Sequence, residues 1–378
     1  MLFGATLALF LYVAGSLWLS HGLGMCWKIL GTAVALLASL KYAIYQWLGG
    51  SFFAPRLPRL FQLAMEALYA SLILLFALLL LRDILRIALR LLHRHGQLEN
   101  ISLSGGWVWP LLAFCALGAG LWGTWQSVRV PAVVERVVRL PDLPPGLRGF
   151  RIAQLSDLHI GPLLGRQWLS QVVRRTNLLQ PDLIVLTGDY VDGTVDELAA
   201  ELEPLADLRS RYGVFAVTGN HEYYWNATAW RAALERLGLR FLENSHALVG
   251  PEGSPVLLVG LTDLAADRFA MPGPDLGRAL DGAPERGAAP RVLLSHQPRE
   301  AQEHLASVDL QLSGHTHGGQ IFFLQPLIAA FNSGFVSGGY SVNGSSLLVS
   351  PGTGLWGGFS CRVGVPSEIS LIILEPGR

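Results

Sequence analysis

Apolar and polar positions along this chain follow two different rules. Up to residue 128 the apolar residues run in long stretches, over 2–20, 29–48, 61–81 and 107–125. Each approaches the ~20 residues that a helix needs to cross the hydrocarbon core of a bilayer. The pattern predicts four membrane-spanning helices. Tryptophans such as Trp18, Trp47, Trp107 and Trp125 stand near the ends, where amphipathic rings favour the membrane interface. The first stretch lacks a basic leader and a small-residue cleavage site, so it reads as a retained helix rather than a signal peptide. Lys41 and Glu66 are the two ionisable residues inside the stretches; both lie near an end, where snorkelling to the interface is expected.

Beyond a Pro-containing stretch at 141–149 the pattern shortens and alternates. Apolar runs at 150–155, 183–187, 214–218, 256–261, 292–295, 310–313 and 347–350 predict buried strands. Helical patterns at 167–179, 195–208, 227–237 and 299–306 lie between several of them. This is α/β alternation with a sheet buried on both faces. The expected organisation is a transmembrane domain of about four helices (1–128), a linker (129–149) and an α/β domain (150–378).

Composition sharpens the division. Hydrophobic types make up 51% of the chain and charged types 15%, which argues against a wholly soluble protein. Net charge is zero, and the second part is mildly acidic and lacks lysine, so no nucleic-acid partner is expected. Arg82, Arg86, Arg90 and Arg94 form a basic stripe after the third stretch, either an interfacial helix or the end of the third span. If that loop is cytoplasmic, four spans put the α/β domain outside. Three cysteines define no disulfide framework.

The chemistry falls where strands stop. SDLH carries Asp157 and His159; TGDYVDG carries Asp189 and Asp192; TGNHE carries Asn220 and His221; SHQP carries His296; SGHTHGG carries His315 and His317. Loops at strand C-termini are where α/β folds place ligands. Five of the ten histidines lie in these clusters. Carboxylate oxygen with imidazole nitrogen suits Mn²⁺, Fe²⁺ or Zn²⁺ better than Mg²⁺. The inventory is large enough for two metals sharing a bridging carboxylate. Five strands ending independently in Asp, Asn and His beside Gly would be an improbable accident.

In order, these blocks read D-x-H, GDxxD, GNHE, a lone His and GHxH. Residues from about 150 to 374 thereby resemble the calcineurin-like metallophosphoesterase superfamily. SDLHIG, GNHEYY, SGHTHGGQ and the late GTGLWGG and PSEI resemble its membrane-linked branch, which includes pyrophosphatases of UDP-2,3-diacylglucosamine in lipid A synthesis. The resemblance implies a two-sheet β-sandwich flanked by helices, with two divalent metals at one edge. It implies that Asp157, His159 and His317 hold the first metal, that Asp189 bridges, and that Asn220, His296 and His315 complete the second. His221 would protonate the leaving oxygen instead of binding metal. On physical grounds Asp192 either orients Asp189 or a ligand histidine, which is the stronger expectation, or caps the following turn. Where phosphoprotein phosphatases carry a phosphate-gripping Arg, this chain has Gly193, which disfavours a protein substrate.

The expected function is a membrane-anchored, dinuclear-metal phosphoesterase. Its substrate would be a phosphodiester or pyrophosphate, a phosphorylated membrane lipid foremost. A bacterial inner membrane is the expected site, with the catalytic domain extracytoplasmic. The alternatives are an enzyme on a water-soluble nucleotide or cell-envelope phosphodiester, and a non-catalytic membrane sensor. The apolar stretch at 321–331, just after His317, either packs as a core strand with a covering helix or lies exposed to hold acyl chains; the packed arrangement is the stronger expectation.

Overall fold

The structure is a computed structural model, and it describes residues 2–51, 55–94 and 106–377. The chain forms two units: Met1–Gln126 with Gly358–Val363, and Ser127–Gly357 with Gly364–Arg378.

The first unit is helical, and a helix occupies each of the four apolar stretches. These are α1 (Leu2–Trp18), α2 (Met25–Ser39) with α3 (Lys41–Trp47), α4 (Arg59–Arg94) and α5 (Val108–Val128). By length and apolar composition α5 can cross a membrane; α2 and α3, bent by 58° at Leu40, qualify as one broken span. The expected four-span domain is thus met by one or two such helices. Helix α4 runs unbroken for 36 residues, or about 54 Å, well beyond a hydrocarbon core of roughly 30 Å. The basic stripe therefore continues the third helix. Arg82 on it donates to Ser16 Oγ at 2.9 Å and to Asp83 at 2.9 Å. All four arginines of the stripe lie on α4, and residues 95–105 after it lie outside the described residues.

Lys41 and Glu66 do not snorkel. Both are fully buried and pair at 2.7 Å. Tyr45 Oη donates to the same carboxylate at 3.0 Å, and the backbone N–H of Ser360 does so at 3.0 Å. Lys41 Nζ and Tyr42 Oη both donate to the carbonyl of Gly358. An isolated buried charge would cost several kcal/mol, so the pair persists only because each partner neutralises the other and the remaining lone pairs are filled.

The second unit is the α/β body. Its strands are β1 (Ala132–Leu140), β2 (Arg151–Leu155), β3 (Leu183–Thr187), β4 (Val214–Val217), β5 (Arg240–Phe241), β6 (Ser245–Val249), β7 (Val256–Gly260), β8 (Arg291–Leu294), β9 (Leu310–Ser313), β10 (Gly338–Val342), β11 (Ser345–Val349) and β12 (Glu368–Pro376). They form two mixed six-stranded sheets, ordered β1-β12-β2-β3-β4-β5 and β10-β11-β9-β8-β7-β6. The seven predicted strands are the central ones. Those at the sheet edges, and β12, were not predicted. Correcting the linker assignment, β1 pairs in parallel with β12 along all nine residues. Its alternating VVERVVRL pattern leaves one side wet, so no continuous apolar run announces it.

Alternation decides what each strand buries. Ile152, Val185 and Val217 of one sheet share a core with Leu258, Leu294 and Leu312 of the other. The intervening Leu257, Val259 and Leu293 pack outward beneath Ala301 and Leu305. The two sheets thus face each other as a sandwich. Strands β2 to β5 are parallel, as are β7, β8, β9 and β11, so within each sheet these C-terminal ends lie along one edge.

Leu258 fills the inter-sheet core with no exposure. Leu258→Ala should destabilise by about 2–5 kcal/mol and lower the unfolding midpoint by roughly 5–15 °C in calorimetry of the solubilised chain. Leu248→Ala, on exposed β6, should shift it little.

Candidate metal centre

Each proposed ligand leaves its strand on a constrained turn. Asp157, His159, Asp189, His315 and His317 all have φ between 45° and 71°, the left-handed region that non-glycine residues avoid. Such backbone costs about 1–3 kcal/mol per residue and persists where surrounding structure imposes it. Glycine makes the packing possible. A Cβ on Gly314 would sit 1.9 Å from Ser156 Oγ and 2.3 Å from Asp157 Oδ2. One on Gly219 would sit 2.5 Å from the backbone nitrogen of Asp189.

The turns bring all seven proposed ligands into one cluster. His159 Nε2 lies 3.2 Å from His317 Nε2 and 3.5 Å from Asp189 Oδ2. His317 Nε2 lies 3.4 Å from Asp157 Oδ1. On the other side, His296 Nε2 lies 3.2 Å from Asp189 Oδ2, 3.2 Å from Asn220 Oδ1 and 3.3 Å from His315 Nδ1. Asp189 Oδ2 is common to both sides.

These spacings fit cations. Ligand bonds of about 2.1 Å at tetrahedral or octahedral angles put neighbouring donor atoms about 3.0–3.4 Å apart. Two imidazole nitrogens facing each other at 3.2 Å repel unless a proton or cation lies between them. Asp157, His159 and His317 form one donor group, Asp189, His296 and His315 another, and His159, Asp189 and His221 a third that overlaps both.

The outer nitrogens set the imidazole orientation. The carbonyl of Thr187 accepts from His296 Nδ1 at 2.7 Å, which turns Nε2 toward Asp189. Asp192 Oδ1 meets His159 Nδ1 at 3.1 Å and His221 Nδ1 at 2.6 Å. Asp192 thus touches a proposed ligand and the proposed proton donor together. His221 Nε2 stands 4.0 Å from Asp189 Oδ2, and its ring meets that of His159 edge-on at 4.5 Å between centroids.

Electrostatics follows from burial. Water is excluded from Asp189, which by itself disfavours its charge, yet His296, His221 and His159 hold its carboxyl well below the usual range. Reciprocally, burial disfavours a charged His296, but Asp189 and Asp157 raise it well above the ordinary imidazole value. Burial and the neighbouring His296 push His315 down to about 3. Despite its burial, Asp192 is held at about 2 by His159 and His221.

Sequence reasoning passed over Glu222. It is completely buried, and its carboxylate accepts the backbone N–H groups of Asp189, Tyr190 and Gly219 at 3.0, 2.7 and 2.7 Å. It therefore ties the Asp189 turn to the Asn220 turn. Burial and the nearby Asp189 charge push its pKa up to about 8. Its signal was the last letter of GNHE, where an acidic residue stands beside the ligand.

Comparisons with known proteins agree with this geometry. The calcineurin-like phosphoesterase family model matches residues 150–319. A zebrafish (Danio rerio) transmembrane protein with metallophosphoesterase domain is 35% identical over 362 residues, covering 93% of this chain and 80% of that protein. Its bovine (Bos taurus) namesake is 37% identical over 267 residues, with 67% of this chain and 59% of that protein covered. An uncharacterized metallophosphoesterase of Campylobacter jejuni is 35% identical, with 66% and 65% covered. Among solved structures, a Haemophilus influenzae NAD nucleotidase aligns with 56% of this chain and 45% of its own at 16% identity and a TM-score of 0.38. The ordered blocks, the shared carboxylate and the zebrafish match together make the chain a member of the calcineurin-like metallophosphoesterase family, metal-dependent hydrolases of phosphoesters.

Proposed function

We propose that this protein is a membrane-anchored phosphoesterase that cleaves a phosphodiester or pyrophosphate of a lipid, such as UDP-2,3-diacylglucosamine, at a two-metal centre. The observation that carries the reading is the Asp189 carboxylate shared between two donor groups, with His221 beside it. Asp157, His159 and His317 would hold one cation, Asn220, His296 and His315 the other, and Asp189 both. Two such cations, Mn²⁺, Fe²⁺ or Zn²⁺, supply charge against the phosphoryl oxygens and a water acidic enough to act as nucleophile.

The chain's own groups do the rest. Asp192 holds Nδ1 of His221 at 2.6 Å, which makes Nε2 the nitrogen that would give a proton. A water that has given one proton to solvent would bond to phosphorus, the bond to the leaving oxygen would break with its electron pair on that oxygen, and that oxygen would take the proton of His221, which solvent then restores. Asp192, on both His159 and His221, keeps proton donor and ligand in register.

The lipid part of the reading rests on exposure. Ile321 is fully buried, but beyond it the stretch does not pack as core: Phe322, Leu327 and Phe331 are 59%, 54% and 65% exposed. Contiguous exposed apolar side chains beside a site mark an interaction surface. The helices of the first unit and the relatives named transmembrane proteins support anchoring in a membrane. The basic Arg82–Arg94 stretch supports an extracytoplasmic catalytic unit, in a bacterial inner membrane.

Three outcomes test this. UDP-2,3-diacylglucosamine in mixed micelles with Mn²⁺ should be hydrolysed, and Asp189→Asn should abolish turnover and lower metal content by elemental analysis. Hydrolysis of bis-p-nitrophenyl phosphate without lipid cleavage would move the substrate to a soluble or cell-envelope phosphodiester. Cleavage of the UDP-linked lipid by intact cells only from inside would reverse the orientation. His221→Ala should retain metal but lower kcat by about 10²–10⁴ for poor leaving groups, and by less for p-nitrophenolate. Glu222→Gln places an amide against backbone N–H donors and should weaken metal binding about 10–100-fold in competition with a chelator.

A further inference from the structure

A second feature adjoins the centre on the side of Asn220 and His315. A cavity of about 180 Å³ opens there, and Tyr224, Gln297, Arg268 and Arg299 line it with those two residues. Arg268 follows β7, and Arg299 follows β8, the strand that also leads to His296. Both side chains are exposed, and among the described residues neither guanidinium has an ion pair or hydrogen bond. This is unlike Arg136, Arg166 and Arg231, each held by a glutamate.

The floor of the cavity is fixed. Gln297 Nε2 donates to both oxygens of the buried Asp263 at 3.0 and 3.1 Å. Asp263 in turn accepts the backbone N–H of Ala265 at 2.8 Å, on the loop that carries Arg268. Tyr224 stands against His221, with ring centroids 5.1 Å apart, and against Phe269 at 6.0 Å. The cavity therefore continues the side on which His221 would meet the leaving oxygen. Arg299 and His315 line the same cavity.

Two unpaired guanidiniums at the mouth of a polar cavity match an anion. Each presents a planar fork of donors suited to phosphate oxygens. Gly193 carries no side chain, and a Cβ there would already lie 2.7 Å from Leu198 Cδ1; positive charge enters instead from the loops after β7 and β8. We infer that Arg268 and Arg299 bind a second phosphoryl group on the leaving side of the scissile bond, so that the preferred substrate is a pyrophosphate diester rather than a simple phosphodiester. The inference rests on the hydrolytic reading above and narrows its substrate class.

The test compares kcat/KM for UDP-glucose and for micellar UDP-2,3-diacylglucosamine, both pyrophosphate diesters, with that for bis-p-nitrophenyl phosphate. In Arg268→Ala/Arg299→Ala the ratio of pyrophosphate to simple diester should fall at least tenfold, chiefly through KM. A fall confined to the micellar substrate assigns the second phosphoryl group to a lipid headgroup; a fall for UDP-glucose assigns it to a soluble nucleotide. Equal losses on all three substrates would overturn the inference. A binding measurement separates it from the hydrolytic reading. Calorimetric titration of the metal-depleted full chain with inorganic pyrophosphate should show affinity that drops at least fivefold in the double variant. No binding by the parent chain, or equal binding by both, would overturn the inference even if simple diesters are hydrolysed.

Discussion

The centre depends on one negative charge kept away from water. Asp189 is almost wholly buried, with three imidazoles around it and a backbone N–H of its neighbour turn on its second oxygen. A carboxylate in that position is tolerable only because positive charge is drawn to it. The same attraction makes its surroundings a trap for cations. His296 binds the carbonyl of Thr187 through one nitrogen, so its other nitrogen has no direction to take but toward Asp189. Asp192 does likewise for His159 and His221. Orientation precedes ligation here, because the outer partners settle each ring before any metal arrives.

The sandwich converts this local demand into a fold-level one. Parallel strands deliver their C-terminal loops to a common edge in each sheet, so residues distant in sequence share a few ångströms. His159 and His317 are separated by 158 positions and their nitrogens by 3.2 Å. The left-handed backbone at five proposed ligands is maintained by that edge, with Glu222 holding two of the turns together by their N–H groups. The exposed Phe322–Phe331 segment, by contrast, contributes little to the core, and its apolar character answers to something outside the body of the unit.

Much of this was legible because it is written in local runs. Central strands such as Leu183–Thr187 are buried on every residue and show as unbroken apolar letters. Five of the seven predicted strands, β2, β3, β4, β8 and β9, lead into the Asp, Asn or His that carries chemistry. Edge strands escaped notice because β6 and β10 are half wet, and β1 alternates. The pairing of Lys41 with Glu66 had no local sign either; a separation of 25 positions joins them only once α3 and α4 pack. Arg268 and Arg299 carry no motif at all. Their meaning lies in being unpaired beside a cavity, which is a property of the folded surface.

The return of Gly358–Val363 to the first unit makes that unit discontinuous in the chain. Phe359 stacks edge-on against Tyr69, and Cys361 lies against Gly123. A fragment beginning at Ser127 would carry both side chains away from the helices that cover them, and would leave Glu66 without the N–H of Ser360. No single crossover near residue 126 can exchange the membrane part for another anchor while keeping these contacts. An exchange of the helices would therefore have to carry this short late loop with it.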